Sequence, residues 1–181
     1  MPGPRFIWWR RTDKVFLVVS AILVFVLAAL VTLLYGVHTV RKIDGPSMEP
    51  TLLQGDRILV TRGYDVPMRG DIISFVAVER DGDPVHLIKR VVALPGDTVE
   101  VVGDAAFVNG ESSTVAPDAV IGGETYRLGP MTVPEGTVYV LGDNRPVSLD
   151  SRMLGFVPLS VIRGKAVAII FPPSRARAID E

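Results

Sequence analysis

The uncharged apolar run at residues 15–35 constrains this chain more than any other feature of its sequence. Its 21 residues correspond to roughly 31 Å of helix at about 1.5 Å per residue, enough to cross the hydrocarbon core of a bilayer. A cleaved secretory signal has a shorter apolar core followed by a small-x-small site, which residues 35–38 do not provide. Because the run is apolar on every face and long for a buried core helix, it predicts an uncleaved transmembrane anchor.

Basic residues are distributed unequally on the two sides of this run. Two of them, Arg41 and Lys42, follow it closely, whereas four precede it: Arg5, Arg10, Arg11 and Lys14. The more positive side of a transmembrane helix faces the cytoplasm, so residues 1–14 are predicted to form a cytoplasmic tail. The chain after residue 35 is then predicted to lie outside the cytoplasmic membrane.

The composition of the remaining chain excludes several kinds of site. Without residues 1–14, which hold four basic and one acidic residue, the chain keeps 15 basic and 19 acidic residues. This balance argues against a nucleic-acid partner, which needs a basic face to neutralise phosphates. The sequence contains no cysteine, so a disulfide framework, a thiol nucleophile and a cysteine-ligated metal are excluded. No cofactor is predicted.

Short β-prone runs separated by Gly, Pro, Asp and Asn predict an all-β domain over residues 36–174. The predicted strands are residues 57–61, 71–78, 85–92, 98–102, 105–108, 137–141 and 161–171. Their close spacing favours an antiparallel sheet or a barrel, and no convincing helix competes with them. Residues 109–134 are predicted to form a loop or a small cap, and residues 175–181 a poorly ordered tail.

Ser47 is the candidate nucleophile. It lies in the segment 44–52, Asp-Gly-Pro-Ser-Met-Glu-Pro-Thr-Leu, with two prolines and a glycine within three residues. Each proline fixes φ and removes an amide donor, so this backbone is neither helix nor regular sheet. Such a loop can present a hydroxyl group to a substrate, although an isolated serine in a stretch of this kind is more often an ordinary turn residue.

Lys89 is the candidate general base. The strand predicted at residues 85–92 has a period of two, which puts Lys89 on one face with Leu87 and Val91. An ammonium group buried between apolar side chains loses its hydration, so its pKa falls toward the range in which it accepts a proton near neutral pH. A lysine in solvent on an edge strand is the alternative interpretation.

Histidine offers the competing base. The chain contains two histidines, His38 close to the anchor and His86 on the opposite face of the predicted strand from Lys89. A Ser-His-Asp triad therefore lacks a well-placed base, although His86 with Ser47 stays possible. Two histidines at this separation, without a helical pairing motif, also give no prediction of a zinc site or another metal centre.

Taken in order, the anchor and the motifs resemble the bacterial type I signal peptidases, membrane-bound Ser-Lys endopeptidases of peptidase family S26. The matching stretches are residues 45–52, 55–56, 69–71, 89–91, 95–97 and 142–145, followed by Ser148, Asp150, Ser151 and Arg152. Each stretch alone is a weak signal, whereas the whole set in this order covers nearly the whole chain and is highly specific.

The resemblance implies a role for each matching polar residue. Ser47 is expected to be the nucleophile and Lys89 the general base, with Ser148 hydrogen-bonded to the lysine and orienting it. Asp150 and Arg152 are expected to form a structural ion pair near the site.

The resemblance also implies the walls of the site. Gly45 stands where some relatives carry a serine that joins the oxyanion hole, so backbone donors near Gly45 and Ser47 are expected to form it here. Shallow apolar walls accept a methyl group and exclude larger side chains. The residues expected to line such a pocket are Ile43, Met48, Leu52, Leu87 and Ile88.

By the same resemblance, the chain is expected to remove signal peptides from secretory preproteins at the outer face of the cytoplasmic membrane, cutting after Ala-x-Ala. The expected partners are these preproteins and the lipid bilayer. Two alternatives stay open. One is a peptidase of the same clan with a narrow substrate, such as a pilin or a conjugation protein, and the other is a membrane-anchored binding domain without catalysis.

Overall fold

The structure is a computed structural model that describes residues 11–63, 66–78, 82–113, 116 and 127–179. It divides into two compact units, Met1–Val37 and His38–Glu181. Residues 1–10, predicted as part of the cytoplasmic tail, and residues 114–115 and 117–126 of the predicted cap lie outside the described residues.

The first unit contains one long helix, α1, at Arg11–Val37, which includes the whole predicted anchor. Its segment Lys14–Thr32 is long and apolar enough to cross a membrane, and among the described residues it is the one helix with this property. The side chains of that segment are exposed almost throughout. Since so large an apolar surface is unfavourable in water, the helix agrees with the predicted membrane anchor.

The second unit is built from antiparallel strands. The strands are β1 His38–Lys42, β2 Arg57–Thr61, β3 Ile72–Val78, β4 Pro84–Ala93, β5 Thr98–Val102, β6 Ala105–Val108, β7 Glu111–Ser112, β8 Arg127–Thr132, β9 Thr137–Leu141, β10 Val157–Pro158, β11 Ile162–Phe171 and β12 Arg177–Ala178. A short helix, α2, lies at Ser151–Leu154, and single 3-10 turns lie at Arg145–Val147, Leu159–Val161 and Pro173–Arg175. The predicted all-β fold and all seven predicted strands are confirmed.

Two sheets carry these strands. The larger has eight strands in the order β1-β2-β11-β3-β4-β9-β10, with β12 paired to β11, and the smaller has the order β7-β6-β5-β8. In the described chain the larger sheet ends in the unpaired edges of β1 and β10, so it is a folded sheet and not a closed barrel. β4 pairs with a different strand on each edge. Residues Pro84 to Arg90 pair with β3 on one edge, and residues Arg90 to Ala93 pair with β9 on the other.

Apolar side chains bury both faces of the larger sheet, as the alternation of β4 predicts. Val91 packs in a cluster with residues of β3 and β9, whereas its neighbour Val92 packs against the smaller sheet. A third cluster buries Met48 and Leu52 under β2 and β11. The segment that carries Ser47 therefore rests on packed core.

The prediction of a poorly ordered tail from residue 175 was wrong for residues 175–179. β12 pairs with the second half of β11, and the Ile179 N–H donates to the Val167 carbonyl oxygen at 2.9 Å. Ile179 also packs against the Met48 and Leu52 cluster. The edge strand β1 and the strands β7, β8, β10 and β12 were not predicted from the sequence.

Candidate active site

Ser47 and Lys89 meet although 42 residues separate them in the sequence. Ser47 lies in the turn after β1, and Lys89 projects from β4. The Nζ atom of Lys89 lies 2.8 Å from Ser47 Oγ and donates a second hydrogen bond to the Ile88 carbonyl oxygen at 2.9 Å. Lys89 is 2% exposed, whereas Ser47 is only partly buried. The pair therefore has the geometry of a nucleophile and its base, with the nucleophile open to one side.

The environment of Lys89 favours its neutral form. Burial lowers its pKa from 10.5 to about 8, while the attraction of Asp150 and Asp143 acts in the opposite direction. In the described part of the chain, none of the ion pairs includes Lys89. A pKa lowered to this extent corresponds to about 3 kcal/mol against the charged ammonium, which makes the amine available as a base near neutral pH.

The buried charges near Lys89 balance without it. Three carboxylates belong to this group in the described structure: those of Asp143 and Asp150, which act on Lys89, and that of Asp104, which is joined to Asp150 through Arg152. Three guanidinium groups lie beside them, those of Arg90, Arg145 and Arg152. A protonated Lys89 is thus a surplus positive charge in a region of low dielectric, whereas a neutral Lys89 leaves the group uncharged overall.

Arg90 fixes the nucleophile loop, which we define as residues 43–56. It is the neighbour of Lys89 in sequence but pairs with Asp143, through Nε at 2.9 Å and a terminal nitrogen at 2.6 Å. Thr51 Oγ1 donates to the same carboxylate at 2.5 Å and accepts from Arg90 at 3.2 Å. The loop is thereby tied to the segment that follows β9.

Arg175 fixes the same loop from the C-terminal end of the chain. Its guanidinium group donates to both oxygens of Asp56, at 3.0 and 2.9 Å, and to the Thr51 carbonyl oxygen at 3.3 Å. Burial alone would raise the pKa of Asp56, but hydrogen bonds from Arg175 and from the Leu53 N–H lower it overall. Sequence reasoning missed Arg175 because the ion pair spans 119 residues.

Ser148 lies at the site but does not make the hydrogen bond that was expected of it. It is 3% exposed, and its Oγ atom has no hydrogen-bond partner within the described chain. It contacts Gly142, where an added Cβ would lie 2.5 Å from the Ser148 Cβ and 2.5 Å from the Ser47 carbonyl oxygen. That close approach requires a glycine at position 142. Ser148 and Ser47 both pack against this residue.

Asp150 and Arg152 form the expected ion pair. Arg152 Nε donates to Asp150 Oδ1 at 2.9 Å, and the other Asp150 oxygen accepts the Gly142 N–H at 3.0 Å. Arg152 also pairs with the Asp104 carboxylate at 2.5 Å. No sequence motif pointed to Asp104, since it lies in a turn between two strands of the smaller sheet.

A groove of about 510 Å³ is lined by Ser47 and Lys89. Four of the five residues expected in the pocket line it, namely Ile43, Met48, Leu87 and Ile88. Leu52, the fifth, is fully buried in the core below the loop. The groove runs along the segment of β4 from His86 to Lys89, whose second edge pairs with no strand among the described residues.

A backbone donor is available at the nucleophile. No hydrogen bond in the described chain uses the Ser47 N–H, whereas the Ser47 carbonyl oxygen accepts from the Asn144 N–H at 3.1 Å. Gly45 has open space where a side chain would project. This agrees with an oxyanion hole built from backbone donors, in a place where the substrate has room to enter.

The two histidines lie away from the reacting pair. His38 is beside Thr61, with its Nδ1 atom 3.2 Å from the hydroxyl oxygen. His86 is exposed on β4 at the rim of the groove and is the cross-strand partner of Val76. In the described structure, no hydrogen bond joins either histidine to Ser47.

Two further motifs prove to be structural. Asp71 accepts the Met68 N–H at 2.7 Å and forms an ion pair with Lys165 on β11. Asp97 accepts the Leu94 N–H at 2.8 Å and pairs with Arg69. These carboxylates close turns at strand ends, so the sequence motifs around them mark the scaffold of the site.

Comparison with known proteins places the chain among described peptidases. The family model for signal peptidase, peptidase S26, matches residues 15–171. Signal peptidase I of Bacillus licheniformis is 34% identical over 94% of this chain and 96% of its own length. Signal peptidase I of Leptolyngbya laminosa is 37% identical over 80% of this chain and 76% of its own length.

A solved structure is also similar in sequence. The crystal structure of a signal peptidase I from Enterococcus faecalis V583 is 36% identical and covers 55% of this chain and 96% of its own, with a TM-score of 0.41.

Proposed function

Because the chain belongs to the signal peptidase family, peptidase S26, we propose that Ser47 and Lys89 are the dyad with which it removes signal peptides from secretory preproteins. The family is one of serine peptidases, and named relatives that span most of the chain are signal peptidases I. The observation that carries the assignment of the dyad is the distance of 2.8 Å between Lys89 Nζ and Ser47 Oγ. The lysine is buried and forms no ion pair with a carboxylate in the described chain.

The reaction is an acyl transfer in two steps. Neutral Lys89 takes the proton of the Ser47 hydroxyl while Oγ attacks the carbonyl carbon of the scissile bond, and the Ser47 N–H stabilises the resulting oxyanion. The C–N bond then breaks, and the Lys89 ammonium gives its proton to the leaving amine, which becomes the new amino terminus. Water, deprotonated by Lys89, then attacks the acyl carbon. The bond to Ser47 Oγ breaks, the Lys89 ammonium returns its proton to Oγ, and the signal peptide leaves with a free carboxylate.

The groove suits an extended peptide that ends in a small side chain. The unpaired edge of β4 from Pro84 to Lys89 offers backbone donors and acceptors for strand addition. Ile43, Met48 and Ile88 leave apolar walls close to Ser47. We assign to these walls the selection of alanine at the first and third positions before the cut, since a methyl group fits where larger side chains clash.

The membrane orientation is part of the same proposal. The basic residues that precede the apolar run at residues 15–35 favour a cytoplasmic amino terminus, so the peptidase unit lies outside the cytoplasmic membrane. Ser47 follows Val37 by ten residues, at most roughly 35 Å of extended chain, which keeps the site near the outer membrane surface. A protease added outside intact cells or spheroplasts should therefore degrade this unit, whereas protection would reverse the orientation.

Cleavage of a purified preprotein tests the proposed activity. The wild-type protein should cut a substrate with an Ala-x-Ala site and should not cut versions with a bulky residue at the first position before the cut. Ser47→Ala and Lys89→Ala should not cut either substrate. Cleavage of one pilin-like substrate alone would favour the narrow peptidase, and binding without cleavage would favour the non-catalytic domain.

A further inference from the structure

Resting on the proposed function, we infer that Asp104, in the turn between β5 and β6, is a positioning residue for the Ser47 and Lys89 dyad and acts through Arg152. The smaller sheet takes no part in lining the groove, since no residue of β5, β6, β7 or β8 is among the lining residues of the described chain. Its turn nevertheless inserts a carboxylate into the segment at residues 142–152, which follows β9.

The contact is made by two arginines of that segment. Arg152 donates to Asp104 Oδ1 at 2.5 Å, and Arg145 donates to the Asp104 carbonyl oxygen at 2.7 Å. The ion pair is almost dry, because the side chains of Arg152 and Asp104 are 7% and 3% exposed. In such surroundings a charge-assisted hydrogen bond is strong and fixes the geometry of both partners.

The same two arginines hold Gly142 from both sides. Arg145 Nε donates to the Gly142 carbonyl oxygen at 2.8 Å. Arg152 binds Asp150 at 2.9 Å, and Asp150 in turn accepts the Gly142 N–H at 3.0 Å. Both polar groups of this one peptide residue are therefore connected to the turn that carries Asp104.

Gly142 connects this hydrogen-bond network to the reacting groups. Its Cα atom lies against Ser148 and against the carbonyl oxygen of Ser47, with no room for a methyl group. A shift of Gly142 must therefore move Ser47 relative to Lys89 or open a gap beside them. A displacement of about 1 Å is enough to lower the rate of a reaction between positioned groups by about 100-fold.

This arrangement predicts that removal of the Asp104 carboxylate lowers kcat and leaves KM unchanged. Asp104 does not line the groove, so peptide binding is unchanged when its carboxylate is removed. We expect Asp104→Asn to lower kcat for preprotein cleavage by about 10-fold or more, with KM within about twofold of the wild type. A residue that only stabilised the fold would lower the amount of active protein and leave kcat per folded molecule unchanged.

Glu100→Gln is the matched control. Glu100 lies on β5 of the same sheet and also pairs with an arginine, Arg127, but that pair is on the surface and away from residues 142–152. The control makes the same change of charge and should retain wild-type kcat. Equal losses in Glu100→Gln and Asp104→Asn, each measured per folded molecule, would overturn the inference.

A double variant tests the route through Arg152. If Asp104 acts through Arg152, then Asp104→Asn should have little further effect on kcat when Arg152→Lys is already present. Additive losses would contradict this route. Should Asp104→Asn fail to fold, Asp104→Glu keeps the charge and displaces the carboxylate by one methylene, and it should show the same fall in kcat with unchanged KM.

The wild-type protein is the internal standard for these measurements. If it cleaves no preprotein, the proposed function fails and the inference fails with it. If it cleaves and folded Asp104→Asn cleaves at the same kcat, only the inference is overturned.

Discussion

Lys89 and Lys165 lie in one row of the larger sheet, on either side of Ile73, yet they have opposite surroundings. Ile73 of β3 is the register partner of Lys89 on β4 and of Lys165 on β11. Lys165 forms an ion pair with the buried carboxylate of Asp71 at 2.5 Å. Lys89 faces the Ser47 hydroxyl instead. The two lysines are therefore each one strand away from Ile73, on the two strands that flank β3. Lys165 has a structural role, whereas Lys89 is suited to proton transfer.

The difference teaches that the carboxylate partner, and not burial alone, decides the role of a lysine in this sheet. An opposite charge within about 4 to 6 Å favours the charged form of a lysine, whereas burial without such a partner favours the neutral form. Beside Lys89 the carboxylates of Asp143 and Asp150 are already paired with Arg90 and Arg152. Lys89 is left without a carboxylate partner of its own, and burial lowers its pKa to about 8.

The largest expected effect is the loss of activity when the unpaired lysine is removed. Lys89→Met should lower preprotein cleavage by about 10⁴-fold or more, as Ser47→Ala should, because each removes one half of the dyad. Lys165→Met removes the paired lysine and should keep kcat per folded molecule close to the wild type. Single-turnover cleavage, corrected for the amount of folded protein, measures the rates of both variants. An active Lys89→Met would contradict the role assigned to Lys89.

Stability should change in opposite directions in the same two variants. Lys165→Met leaves the fully buried Asp71 without its ion-pair partner, and we expect it to lower the free energy of unfolding by about 3 kcal/mol. Lys89→Met removes an unpaired cation and should raise the free energy of unfolding at pH 7 by about 1 to 3 kcal/mol. Denaturant unfolding of the two variants gives both values. Changes of the same sign would contradict the assigned surroundings.

The activity should depend on pH through Lys89. The amine must be neutral to accept the Ser47 proton, so kcat/KM should rise about tenfold per pH unit below pH 8 and level off above it. Lys165→Met should show the same midpoint, because it leaves Lys89 and its contact with Ser47 in place. A profile that is flat from pH 6 to pH 9 would exclude Lys89 as the base.

The smallest effect is expected at His86. His86 is exposed at the rim of the groove and makes no hydrogen bond to Ser47 within the described chain. His86→Ala should therefore keep kcat and KM within about twofold of the wild type. An inactive but folded His86→Ala would return the histidine to consideration as the base.

Local sequence signals predicted the parts of this molecule that depend on periodicity. The alternation around Lys89 correctly placed Leu87 and Val91 on one face, where both belong to one apolar cluster. The uncharged run correctly predicted α1. Such patterns are visible because the side chains of a strand or a helix repeat at a fixed period.

Contacts between distant segments could not be predicted in this way. The ion pair of Arg175 with Asp56 joins the last residues of the chain to the nucleophile loop, and Asp104 reaches Arg152 from another sheet. β1 was missed because its sequence, His-Thr-Val-Arg-Lys, is mostly polar and half-exposed at an edge. The role of Ser148 stays a prediction, since its Oγ atom has no partner in the described chain.

Direct titration of Lys89 tests the central claim, that an unpaired buried lysine serves as the base. The chain contains four lysines, so labelling them with ¹³C at Cε gives a simple NMR spectrum in which Lys89→Met identifies the resonance of Lys89. The account predicts a midpoint near pH 8 for that resonance. A midpoint at or above the usual value of about 10.4 would contradict it.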